Sequence, residues 1–108
     1  MNVREARFVK NEIAFREINE EIEAASEQAR PGDRLEILCE CSHSDCTLAL
    51  CVSRAAYEIA RKRGDRFLVV PEHVLPEIEE VVFRMRDYVM VQKRGEAGEL
   101  AREKNPRG

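Results

Sequence analysis

The sequence contains no tryptophan, and aromatic residues of any kind make up only 6%. A core built from so few rings has to be aliphatic. There is no basic surplus either, because the formal charge is −3. That disfavours a nonspecific nucleic-acid binder, which normally carries a cationic face. No apolar run approaches the roughly 20 residues needed to span a bilayer, so no membrane association is expected. The opening stretch, MNVREARFVK, lacks the apolar block of a secretory signal. The expected compartment is therefore the cytoplasm, where thiols stay reduced. Several motifs are missing as well. There is no H-E-x-x-H, no phosphate-cradling glycine loop, no nucleophile elbow and no deaminase pattern, since Val74 and Leu75 follow His73. The expectation is a protein that is not an enzyme.

What is present is concentrated. All four cysteines lie in one stretch, CECSHSDCTLALC, from Cys39 to Cys51. In a reducing compartment such clustering points to metal binding sooner than to disulfides. The 108 residues make one domain with one core, and a chain of this size gains from an internal staple.

Residues 1–10 read as a frayed end. From Asn11 a helical period sets in, with Phe8, Phe15, Ile18, Ile22, Ala25 and Ala29 as its apolar stripe. Glu12, Arg16, Glu17, Glu20, Glu21 and Glu23 then form a solvated face, with Glu12 and Arg16 as an i,i+4 pair. The stripe packs on the core, or on a second copy in a homodimer. Pro31-Gly32-Asp33 ends the helix near Arg30.

Residues 35–41, 47–52 and 66–70 read as strands. Between the second and third, a short helix starts from Ser53 as N-cap and buries Ala56, Tyr57, Ile59 and Ala60, with Gly64 closing it. Residues 78–85 and 88–93 form a hairpin turning at Arg86-Asp87, and the tail, 95–108, is at most weakly helical. The predicted fold is α+β: a long N-terminal helix on a small, mostly antiparallel sheet, with a second short helix and a zinc-binding knuckle. Residues 11–94 form the domain.

The metal reading starts from strand geometry. Side chains at i and i+2 share a face, so the sulfurs of Cys39 and Cys41 converge. The turn at 42–45 brings Cys46 back as a third donor. Thiolates are soft and select zinc over calcium or magnesium, and a structural zinc takes four ligands. His73, in the proline-flanked PEHVLPE loop, is the favoured fourth. Cys51 is the alternative, disfavoured because it points away from Cys46, and otherwise reads as a small packing residue. His43 sits in too tight a turn and reads as a surface histidine, and water in an open position would complete the choices. Glu40, Asp45 and Glu72 read as surface carboxylates. Arg61, Lys62, Arg63 and Arg66 read as a solvated helix end, which with Lys93 and Arg94 offers the only footing for a nucleic-acid reading.

The runs NEIAFREINEEIE, LEILCECSHSDC and RFLVVPEHVLPEIEEVV resemble a group of short, uncharacterised bacterial proteins of the actinobacterial kind. These share a Phe-Arg-x-x-Asn-Glu helix, a C-E-C-x4-C element and a later P-x-H-x-x-P-E segment. The resemblance covers residues 11–94 and matches Cys39, Cys41, Cys46 and His73, leaving Cys51 outside. It implies a zinc-binding domain and no activity. The function expected is a small zinc protein with a structural Cys3His site that serves as an interaction or regulatory module for a protein partner. The alternative is a thiol-based redox or zinc sensor.

Overall fold

The computed structural model describes residues 1–26 and 28–108. Helix α1 spans Val3–Ala25 and is followed by strands β1 (Arg34–Leu38) and β2 (Ala49–Ser53), then helix α2 (Arg54–Arg61). Strand β3 (Arg66–Val69) leads through a single 3-10 turn, Pro71–His73, to β4 (Glu79–Arg84), β5 (Val89–Lys93) and helix α3 (Gly95–Glu103). The α+β class holds. The strands, however, divide between two antiparallel sheets, β1-β2 and β3-β5-β4. A backbone bond from Glu40 N–H to the Leu68 carbonyl (2.8 Å) links the segment after β1 to β3. No described helix is long and apolar enough to cross a membrane.

Most of residues 1–10, expected to fray, belong to helix α1. Asn2 caps α1 by accepting from the Glu5 N–H, and the Glu5 carboxylate accepts from the Asn2 N–H in return. This reciprocal box satisfies two of the amide groups that a helix start leaves free. At its other end α1 stops at Ala25, with Ser26 as C-cap, before the proline turn is reached. Arg54 binds the carbonyls of Ser26 and Ala29 there (2.9 and 2.8 Å).

The apolar stripe of α1 is out of phase with its buried face. Val9, Glu12, Ile13, Arg16 and Asn19 are buried; Phe15 and Ile22 pack only at the margin, and Ile18 is 43% exposed. Glu12 and Arg16 are therefore not a solvated pair. Glu12 bonds to Lys93 Nζ (2.7 Å), which also meets Glu79. Arg16 donates to the carbonyls of Gly64 (2.6 Å), Ala101 (3.0 Å) and Lys104 (3.1 Å) and lies over the Phe67 ring. Helix C-termini leave carbonyls without partners. One buried guanidinium supplies donors to those ending α3 and to the turn after α2.

That arrangement explains why the tail carries a helix over Gly95–Glu103. Ala97 and Ala101 are buried, and Gly98 lets α3 approach, since a Cβ there would lie 2.9 Å from the Lys93 carbonyl oxygen. Gly64 also serves close approach. Its φ is not positive, so it is not a left-handed helix stop, but a Cβ would meet Asn105 Cβ at 2.9 Å and Arg102 Cα at 3.0 Å.

In α2, Ser53 is the N-cap, accepting from the Ala56 N–H (3.1 Å). Tyr57, Ala60 and Arg61 form its buried face, whereas Ile59 is 51% exposed. Arg61 thus leaves the solvated basic cluster and enters the core. The β4-β5 hairpin closes by a bond from Met85 N–H to the Tyr88 carbonyl (2.9 Å), and β4 carries a bulge between Val81 and Phe83.

Candidate metal centre

The site lies where the two sheets meet. Strand β1 ends at Leu38, whose N–H and carbonyl are both bound by the Asn19 side chain (2.8 Å each). The Cys39 N–H continues the β1-β2 ladder to the Leu48 carbonyl (2.9 Å). The Cys41 carbonyl accepts from Asn11 Nδ2 (3.1 Å). Helix α1 thus grips this segment at two points, and both Cys39 and Cys41 are buried.

Glu40, between the two thiols, is not a surface residue. It is fully buried and paired with Arg61 through both oxygens (2.7 and 2.8 Å). It also accepts from Asn19 Nδ2 (2.8 Å) and the Leu68 N–H (2.9 Å). A buried carboxylate is tolerated only when paired and bonded in this way. With Glu40 pulled toward α2 and β3, the alternation of the chain turns Cys39 and Cys41 the other way, together.

Val70, just past β3, serves two donors. Its N–H donates to Cys39 Sγ (3.3 Å), and its carbonyl accepts from the His73 N–H (3.0 Å). The 3-10 turn begins at Pro71, a residue with its backbone angle already set for such a turn, and delivers the His73 ring to the sulfurs. Cys46 comes from the other limb of the knuckle, where its N–H bonds the His43 carbonyl (3.1 Å).

Cys39, Cys41, Cys46 and His73 each place one donor atom in a group whose members all lie within 4.8 Å of one another. His73 Nδ1 is 3.7 Å from Cys39 Sγ and 3.8 Å from Cys46 Sγ. This is a group that can hold a metal ion. Cys51 is not in it. Cys51 pairs with Glu36 across the β1-β2 ladder and is exposed, so it is not a core residue. His43 is exposed and stands edge-on to His73, ring centres 4.2 Å apart. Asp45 and Glu72 are exposed as expected.

Crowding shapes the acidity of these thiols. The neighbouring Cys41 sulfur, and then burial, push the Cys39 thiol up. Its partnership with Cys39 pulls Cys41 down to about 4. Burial raises Cys46. Three adjacent thiolates repel one another, and a divalent cation among them reverses that balance by favouring the ionised form of each.

The sequence did not reveal the polar frame behind the site: Asn11, Asn19, Glu40 and Arg61. One signal was available. Arg16 and Asn19, spaced by three within the Phe-Arg-x-x-Asn-Glu run, share a helix face, and both are buried. Compared with known proteins, the chain matches no family model, no curated protein and no solved structure.

Proposed function

We propose that the chain is a zinc protein whose ion is structural, held by Cys39, Cys41, Cys46 and His73. The observation that carries the reading is the donor geometry. For tetrahedral zinc with Zn–S near 2.3 Å and Zn–N near 2.0 Å, sulfur and nitrogen stand about 3.5 Å apart. The two sulfur–nitrogen distances to His73 are 3.7 and 3.8 Å. Three thiolates and an imidazole favour zinc over harder cations. Four protein donors close the shell, which suits a structural ion better than a catalytic one, since catalysis needs an open position. The ion would join the end of β1, the knuckle and the turn after β3, which are tied otherwise by few backbone bonds.

Reduced thiols suit the cytoplasm, and the resemblance to short bacterial zinc proteins is in keeping with this reading. The role we assign is an interaction or regulatory module. In support, Ile59, Phe83 and Met85 line one surface depression with Tyr88 and Met90, and the first three are 51%, 57% and 44% exposed. Large apolar side chains gathered at a surface mark contact sites more often than isolated ones do.

Native mass spectrometry of the purified chain tests the metal. One zinc per chain is expected. His73→Ala should lose it under mild chelation, and Cys51→Ser should keep it. Retention in His73→Ala together with loss in Cys51→Ser would overturn the ligand set. For the module, a partner held by the wild type and released by Phe83→Ser supports the assigned surface; equal retention by both removes it.

A further inference from the structure

The four donors are not equally accessible, and the difference has chemical consequences. Cys39 is 1% exposed and Cys41 0%. Cys46 is only half-buried and lines an open surface depression with His43, Asp45, Thr47, Leu48 and His73. A small oxidant arriving from solvent meets the Cys46 sulfur first. Cys51 is also exposed, but it stands outside the donor group.

The two buried sulfurs differ in what the chain ties them to. Cys39 is fixed by its own N–H on Leu48 and by the Val70 N–H on its sulfur. Cys41 lies past the last ladder bond and belongs, with Cys46, to the short knuckle closed by the Cys46 N–H to His43 carbonyl bond. Its carbonyl accepts from Asn11, and its sulfur lies against the His43 backbone inside that knuckle (3.9 Å to the His43 carbonyl oxygen), whereas the Cys39 sulfur is tied to Val70 beyond β3. A bond between Cys41 and Cys46 would close a small loop inside one turn and leave both sheets in place. A bond to Cys39 would pull on the ladder.

Resting on the zinc reading, we propose that Cys46 and Cys41 are an oxidisable pair through which a hydroperoxide releases the metal. In the first step the Cys46 thiolate attacks one peroxide oxygen. An S–O bond forms, the O–O bond breaks, and the departing alkoxide or hydroxide takes a proton from water. Cys46 is then a sulfenic acid, the reversible first stage of thiol oxidation. In the second step the Cys41 thiolate attacks that sulfur. The S–S bond forms, the S–O bond breaks, and hydroxide leaves and is protonated. Two thiolates have lost two electrons, and one hydroperoxide has become an alcohol (or water) and water. Two of the four donors are consumed, and Cys39 with His73 alone cannot retain the ion. The knuckle then opens while the core stays folded, and a dithiol reverses the change.

The experiment uses the full Cys51→Ser chain, which removes the exposed thiol outside the site. Its zinc content is measured first, then hydrogen peroxide is added in small multiples. Released zinc is followed with a chromogenic chelator, and free thiols are alkylated and mapped by peptide mass spectrometry. The expected result is one zinc released per disulfide formed, a Cys41–Cys46 bridge, Cys39 recovered alkylated, and zinc rebinding after reduction. Before peroxide is added, brief treatment with iodoacetamide should label Cys46 at least about tenfold faster than Cys39 or Cys41, because reactivity follows exposure of the thiolate. A bridge containing Cys39, equal labelling of all three sulfurs, or zinc retained until the chain unfolds would each overturn the proposal. A chain that carries no zinc at the outset defeats the zinc reading separately, and the position of the bridge then decides the pair by itself.

Discussion

Replacing Glu12 with glutamine should stabilise the protein at alkaline pH, and the reason is a count of buried charges. Glu12, Glu79 and Lys93 meet in one site where all three side chains are fully buried. The Glu12 oxygens stand 2.6 and 2.7 Å from Lys93 Nζ, while Glu79 also accepts from the Leu75 N–H (2.7 Å). Two carboxylates face one ammonium, so one negative charge is left over if both ionise. Burial is the main cause that pushes Glu12 from an ordinary 4.5 up to about 8, with Lys93 opposing and Glu79 adding to the rise. The folded chain therefore holds a proton on Glu12 that the unfolded chain gives up. Stability from this group is fully present below pH 4.5 and drains away as the pH rises toward 8, the direction set by proton linkage. At about 1.36 kcal/mol for each unit of pKa, ionising Glu12 inside the fold costs at most about 5 kcal/mol. Relaxation of the site should bring the observed effect to roughly half of that. Glutamine is neutral at every pH and nearly the same shape. Urea unfolding of both chains side by side, between about pH 6 and pH 8.5, isolates the effect, because the two chains differ only at residue 12. The Glu12→Gln chain should gain on the wild type by about 1–3 kcal/mol across that range. A gap that does not change with pH, or that widens in favour of the wild type, would refute the charge count.

Two further substitutions probe the frame around the metal. Glu40→Gln removes the charge facing Arg61 and should cost about 3–5 kcal/mol in urea unfolding, since a buried cation is left unpaired; a cost below about 1 kcal/mol would show that the pair is not dry. Gly64→Ala places a Cβ within 3.0 Å of Arg102 Cα, a backbone atom that cannot swing away. It should destabilise by about 1–3 kcal/mol through overpacking, and a neutral result would mean that α3 sits farther from the α2 turn than described.

The local elements were largely legible in the sequence because their signals are local. Ser53 as a cap, the strands on either side of the knuckle and the Arg86-Asp87 hairpin follow from neighbours in the chain. The gathering of Cys39, Cys41 and Cys46 needs only the two-residue period of a strand and one turn. The face of α1 was not legible. Its apolar residues are spread around the helix, and three of its five buried positions are Glu12, Arg16 and Asn19. Polar residues read as solvated unless their partners are known, and these partners lie far along the chain: Lys93 for Glu12, Gly64 and Ala101 for Arg16, Leu38 and Glu40 for Asn19. The same distance hid the helix in the tail, since α3 depends on Arg16 for its end, and hid the role of Glu40, which looks like a strand's outward carboxylate until Arg61 faces it. The division into two sheets follows from the knuckle. After Cys39 the backbone leaves the β1-β2 ladder, and Glu40 reaches Leu68; no pattern of hydrophobicity records that change of partner.

X-ray absorption at the zinc edge of the purified protein bears most directly on the whole account. Three sulfurs at about 2.3 Å and one nitrogen at about 2.0 Å are expected around the ion, with the nitrogen contribution absent in His73→Ala. Four sulfurs would bring Cys51 into the shell, and a shell of oxygen and nitrogen alone would mean that the thiols do not hold the metal.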